Sequence, residues 1–260
     1  MDLHHLTPLM TALLLAAGVW AGAQNALAGG GSFITLPTLM LAGMDARAAN
    51  ITSTVALFPG QAATGWRGRS MARGAEGLSF TALALISLAG GAVGAVLLLL
   101  TPSSFFERLV PWLVLFATAV FAWGSFGRRP EAARREMSAL PASVMQFGIA
   151  IYGGYFGGGI GFLMLAVLTL VSLPVRAATA TKNVLAAAMN LTAVVIFLFS
   201  GQVHWLAALV LGAGAVLGGL VGAWMLRRVD ERALRVAVVV IGLALTVGLF
   251  VRQFTVPAAP

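Results

Sequence analysis

Along the chain, apolar positions gather in long runs broken by short basic stretches. Ten apolar segments can be drawn: residues 8–27, 32–44, 48–66, 78–100, 106–126, 142–156, 160–173, 177–200, 204–226 and 232–254. A helix that simply spans a bilayer needs about 20 apolar residues. Segments 32–44, 142–156 and 160–173 are shorter than that. The short segments meet their neighbours at two glycine runs, Gly29-Gly30-Gly31 and Gly157-Gly158-Gly159. Three consecutive glycines favour a break in a helix. Each of these pairs therefore reads as a helical hairpin or a broken, re-entrant element, and the predicted fold class is an all-α polytopic membrane protein.

Composition agrees. Of 260 residues, 60% are hydrophobic and 9% charged, against about 25% charged in a soluble domain. Sixteen Lys plus Arg and eight Asp plus Glu cannot cover a water-soluble globule of this size. The absence of Cys excludes disulfides and thiolate chemistry. His4, His5 and His204 are too scattered for a metal site, so no metal or other cofactor is expected. The net charge of +8 does not point to nucleic acid in a chain this apolar. Retention of basic loops in the cytoplasm explains it better. Residues 9–27 resemble the apolar core of a signal peptide, with Ala21-Gly22-Ala23 as a cleavage-like site. The leader carries Asp2 and neither Lys nor Arg, so the segment is kept in the fold.

Arginine placement gives a direction. Arg67, Arg69 and Arg73 crowd one loop, Arg128, Arg129, Arg134 and Arg135 a second, and Arg227, Arg228, Arg232 and Arg235 a third. All three are expected on the cytoplasmic side. The turns near Thr101 and Gly201 carry no charge and are expected outside. Counting crossings between these loops leaves residues 8–44 as a pair that enters and returns from outside. Residues 142–173 form a pair that enters and returns from the cytoplasm. Each half is then one hairpin plus three crossings. Three is odd, so the halves are inverted and both termini lie outside. The expected organisation is a first repeat (1–127), a basic cytoplasmic linker (128–141) and a second repeat (142–260), forming one transmembrane domain in the inner (plasma) membrane of a bacterium.

The repeat is visible in residues as well. Gly29-Gly30-Gly31 aligns with Gly157-Gly158-Gly159. Asp45-Ala46-Arg47-Ala48-Ala49-Asn50 aligns with Pro174-Val175-Arg176-Ala177-Ala178-Thr179, and Gly90-Gly91-Ala92-Val93-Gly94-Ala95 with Gly218-Gly219-Leu220-Val221-Gly222-Ala223, at a steady offset of 128 or 129. Glycine-interrupted segments at matching places in two repeats point to a transporter's binding site.

The chemistry is expected where the two glycine tips meet. The short helix after each tip would aim its N-terminal amides and positive dipole end inward, with Ser32 adding a hydroxyl, an arrangement suited to an anion. The alternative is that the glycines only allow tight packing. Lys182 is the sole Lys in the chain and lies about 9 Å into its helix beyond Arg176. A buried cation marks a functional site by default. The competing explanation is snorkelling to the surface. Thr179, Thr181, Asn183 and Asn190 accompany it. At the offset of 129, Asn50 matches Thr179, Thr52 matches Thr181, Ser53 matches Lys182, Thr54 matches Asn183, and Gln61 matches Asn190. Any single one of these polar residues serves equally well as an interhelical hydrogen bond. Gln24 and Asn25, polar at depth before the first tip, are candidates too. Tyr152 and Tyr155 and the Gly90/Gly94 and Gly218/Gly222 pairs read as packing. No carboxylate is embedded in a segment. With no nucleophile, base or metal at depth, an enzyme is not expected.

The run Gly29 to Pro37, then Ala49-Asn50-Ile51-Thr52-Ser53-Thr54 and Phe58-Pro59, resembles the sulfite exporter TauE/SafE family of membrane permeases. The stretch from Gly153-Gly154 to Gly161, with Ala177, Thr179, Thr181, Lys182 and Asn183, is similar to that family's second repeat. The resemblance covers nearly the whole chain. It implies export of a small sulfur-containing anion such as sulfite or an organosulfonate. The expected function is a secondary transporter of a small sulfur or organic oxyanion, working by alternating access. An anion channel on the same fold is the alternative. The expected partners are the small anion, membrane lipid and a second copy of the chain as a homodimer.

Overall fold

The computed structural model describes residues 6–27, 30–75, 77–126, 138–170, 173, 175–225 and 231–255. Among the described residues there are ten α-helices and, apart from one isolated bridge between Ala75 and Leu78, no β-structure. They are α1 (Pro8–Leu27), α2 (Ser32–Leu41), α3 (Ala46–Gly68), α4 (Phe80–Leu100), α5 (Ser103–Phe126), α6 (Ala139–Tyr155), α7 (Ile160–Leu170), α8 (Val175–Leu198), α9 (Trp205–Met225) and α10 (Glu231–Thr255). Each apolar segment becomes one helix, with ends displaced by a few residues for local reasons. Helix α3 starts at Ala46 rather than 48 because Asp45 caps it, its carboxylate accepting from the amides of Arg47 (3.1 Å) and Ala48 (3.2 Å). Ser79 caps α4 in the same way, accepting from Ala82 N–H. The two short helices α2 and α7 follow the two glycine runs, as the pattern predicts. By length and composition, three stretches among the described residues can cross a membrane: Phe80–Leu100, Ser103–Trp123 and Ala177–Leu198.

Packing interlocks the two halves. Helix α1 lies along α9, and α4 along α6. The first arm of each hairpin therefore packs on the glycine-rich helix of the other half. Renumbering each helix by five carries α1–α9 onto α6–α4, α4–α8 onto α9–α3, α2–α3 onto α7–α8, and α5–α7 onto α10–α2. The α3–α8 and α5–α10 contacts map onto themselves; α3–α5 is the exception.

Glycine makes these approaches possible. A Cβ on Gly94 of α4 would sit 2.1 Å from the carbonyl oxygen of Ile151 in α6, and one on Gly218 of α9 would sit 1.8 Å from that of Val19 in α1. Backbones this close exchange dispersion contacts that larger residues forbid. Trp66, Trp123 and Trp205 are exposed near helix ends, where interface anchors belong, whereas Trp112 is exposed along the middle of α5 and packs edge-to-face on Phe250. The buried core places Phe33 of α2, Phe106 and Val110 of α5 and Phe156 of the second tip in one cluster, so the glycine tips border the core.

Candidate functional site

At the first tip, Gly30 has φ +82°, a conformation that favours glycine. Two side chains from the last turns of α1 hold it. Asn25 Oδ1 accepts from Gly31 N–H (2.8 Å), and Gln24 Nε2 donates to the Gly30 carbonyl (3.3 Å). The amides of Phe33 and Ile34 bond back to the carbonyls of Gly30 and Gly31. The tip therefore already uses several of the N–H groups expected to await an anion. At the second tip, Gly157 and Gly159 have φ of +74° and +77°. The tips touch each other: a Cβ on Gly159 would come 3.3 Å from the ring of Phe33. Thr54 Oγ1 of α3 lies beside the second tip, 3.6 Å from the Cβ position of Gly157.

Between the tips lies a cavity of about 50 Å³, room for a few waters or one small ion. Asn25, Gly30 and Ser32 form one wall, and Gly157, Ile160 and Gly161 the facing one. Helix α3 adds Gln61 and Thr64; α8 adds Lys182, Asn183 and Ala186. The Lys182 side chain is buried, and its Nζ lies 3.5 Å from the Cβ position of Gly161 in the first turn of α7. Among the described residues its ammonium has no hydrogen bond or ion pair. A buried cation beside the positive end of α7 leaves two positive sources facing one small space, which a bound anion would compensate.

The structure thus brings Asn25, Gly30, Ser32, Gln61, Gly157, Lys182 and Asn183 to one cavity. Gln24, Gly31, Gly158, Gly159 and Thr54 stand behind or beside it. Asn190 is buried behind Gln61 and donates through Nδ2 to Gln61 Oε1 (2.6 Å).

The other candidates hold the scaffold. Ser53 shares a hydrogen bond with Thr35 of α2. Asn50 Nδ2 donates to the Tyr155 carbonyl (3.0 Å). Thr52 accepts from His204 N–H, while Thr181 accepts from Arg73 N–H and donates to the Arg73 carbonyl. These equivalent threonines clasp connections of the opposite half. Thr179 is half-buried and does not line the cavity. Gly29 lies outside the described residues. Tyr152 and Tyr155 pack as expected, their hydroxyls donating to the Leu113 carbonyl and to Thr101.

Four wall residues were missed by sequence reasoning: Thr64, Ile160, Gly161 and Ala186. Helical spacing held part of the signal, since Thr64 is three residues after Gln61 and Ala186 four after Lys182.

The sequence pattern of the sulfite exporter TauE/SafE family matches residues 14–249. A probable membrane transporter protein ORF9 from Sinorhizobium is 31% identical over 249 residues, covering 92% of each chain. A probable membrane transporter protein from Haemophilus influenzae is 28% identical, covering 91% of this chain and 93% of its own. The probable membrane transporter protein YfcA of Escherichia coli K12 is also 28% identical, covering 92% and 89%. No solved structure matches the chain.

Proposed function

Since the chain belongs to the sulfite exporter TauE/SafE family of membrane transporters, we propose that it is a secondary transporter that exports a small sulfur-containing or organic oxyanion. Sulfite is the substrate the family's name favours, and organosulfonates carry a similar oxyanion head. The observation that carries this reading is Lys182: a buried ammonium, unpaired among the described residues, in a small cavity between two glycine tips. A permanently empty site of this kind would be costly, whereas an anion that enters and leaves would repay its positive field. The cavity volume of about 50 Å³ suits an ion of a few heavy atoms rather than a large solute.

The mechanism that fits is alternating access between inverted repeats of residues 1–127 and 142–260. The contact pattern's near-invariance under exchange of the halves supports it. In this reading both termini face away from the cytoplasm, the Arg-rich loops face it, and the membrane is a bacterial inner membrane. The test is counterflow in proteoliposomes across a panel of sulfite, sulfonates, sulfate and carboxylates. Lys182→Ala is expected to cut exchange at least tenfold, and Lys182→Arg to retain part of it. Unchanged exchange in Lys182→Ala would remove the residue from the mechanism. Unitary conductance without exchange would replace the transporter by a channel.

A further inference from the structure

The cavity opens the question of where the anion goes next. Its walls on α3 and α8 lie toward one end of the molecule: Gln61 and Thr64 precede the C-terminus of α3 at Gly68, and Lys182 and Asn183 follow the N-terminus of α8 at Val175. These ends run side by side, since a Cβ on Gly65 would lie 3.1 Å from the Asn183 carbonyl. This is the end that carries Arg67 and Arg69. Moving each of these wall positions by the repeat offset of 129 gives Asn190 for Gln61, Ala193 for Thr64, Ser53 for Lys182, Thr54 for Asn183 and Leu57 for Ala186. All five counterparts are buried. Along α3 and α8 they lie nearer the helix ends away from Arg67 and Arg69, and Gln61 and Asn190, at equivalent positions, bond to one another between the two sets. Among the described residues Asn190 Oδ1 is buried without a hydrogen-bond partner, so this carboxamide is only half satisfied in the present arrangement.

We propose that Ser53, Thr54, Leu57, Asn190 and Ala193 line a second anion-binding cavity that opens to the opposite end when this one closes. This rests on the transporter reading above. The closed end is held by a latch. Arg47 donates to the carbonyl of Thr101 (2.8 Å) and to Gln202 Oε1 (3.0 Å), while Tyr155, next to the second tip, donates to the Thr101 hydroxyl (3.3 Å). The two cavities are not chemically equal. Where the first presents the Lys182 ammonium, the second presents the Ser53 hydroxyl. The same oxyanion is therefore met by hydroxyl and carboxamide groups alone, and is held more weakly at the second face. That inequality favours capture at the Arg-rich end and release at the other.

The chain contains no cysteine, so single-cysteine variants of the full-length protein report access directly. In vesicles of uniform orientation, a charged, membrane-impermeant thiol reagent is added to one side at a time. Asn183→Cys is expected to react from the Arg-rich end. Ser53→Cys and Thr54→Cys, both near-isosteric, are expected to react from the opposite end, at least tenfold faster in an Arg47→Gln background. An alkanesulfonate should slow both reactions, needing at least tenfold more ligand at the second face. Reaction of Thr54→Cys from the same side as Asn183→Cys overturns the proposal. So does silence of both hydroxyl-site variants in the Arg47→Gln background while Asn183→Cys still reacts, since that reaction shows the fold intact. Opposite-side reactivity with no sulfonate effect at either face upholds the second cavity and instead overturns the anion reading of the site.

Discussion

At the scale of single residues, the site depends on side chains that hold glycine backbone as much as on those that face the cavity. Asn25 does both. Its Oδ1 is committed to Gly31 N–H, which leaves its Nδ2 hydrogens as the remaining donors at the cavity wall. Asn25→Ala would strand a half-buried backbone amide, at a cost of about 1–3 kcal/mol. The expected result is a lower thermal midpoint in detergent together with weaker exchange. Asn25→Asp keeps the acceptor and should restore the midpoint. It would also place a carboxylate against the anion, so exchange should stay low. A midpoint unchanged in Asn25→Ala would show that the tip does not need this bond. Lys182 and the glycine tips were legible in the sequence because an embedded lysine and paired glycine runs are rare and positional. The division of labour among Asn50, Thr52, Ser53, Thr54, Thr179 and Thr181 was not. Consecutive polar residues on a helix face different neighbours, and only the neighbours decide which of them bond to protein.

At the scale of helices, small residues set which elements approach. Gly94 stands where a Cβ would collide with the Ile151 carbonyl, whereas Gly60 has nothing within 4 Å of its Cβ position. The two give a paired prediction. Gly94→Ala should push α4 from α6 and lower the yield of monodisperse protein. Gly60→Ala should be neutral or stabilising by up to about 1 kcal/mol, because alanine has the better helix propensity. Equal behaviour of the two variants would contradict the packing account. The helices themselves were readable from apolar runs, to within a few residues at their ends. Their partners were not: nothing in the apolar pattern says that α1 lies on α9 rather than on its own hairpin arm.

For the whole molecule, the proposed inversion of the two halves makes a topological prediction. Reporters fused at the two termini should be accessible from one side of the membrane, and a reporter inserted in the basic linker, residues 128–141, from the other. A terminus on the same side as the linker would break the inversion and with it the symmetry argument for a second cavity. Two interlocked halves also predict that neither is stable alone: separately expressed residues 1–127 and 142–260 should yield folded protein only when produced together.

The sequence by itself determined the membrane environment, the ten helical segments, the two glycine breaks and the family, because each of these is written in local composition or in spacing along one chain. Hydrophobic length, glycine breaks and a constant offset need no knowledge of what touches what. Only the tertiary structure decided which polar residues face a cavity and which clasp the opposite half. Those properties belong to pairs of residues far apart in the chain, such as Asn190 with Gln61 or Arg47 with Gln202. They come into existence when burial leaves a polar group no choice of partner except the one the fold brings to it.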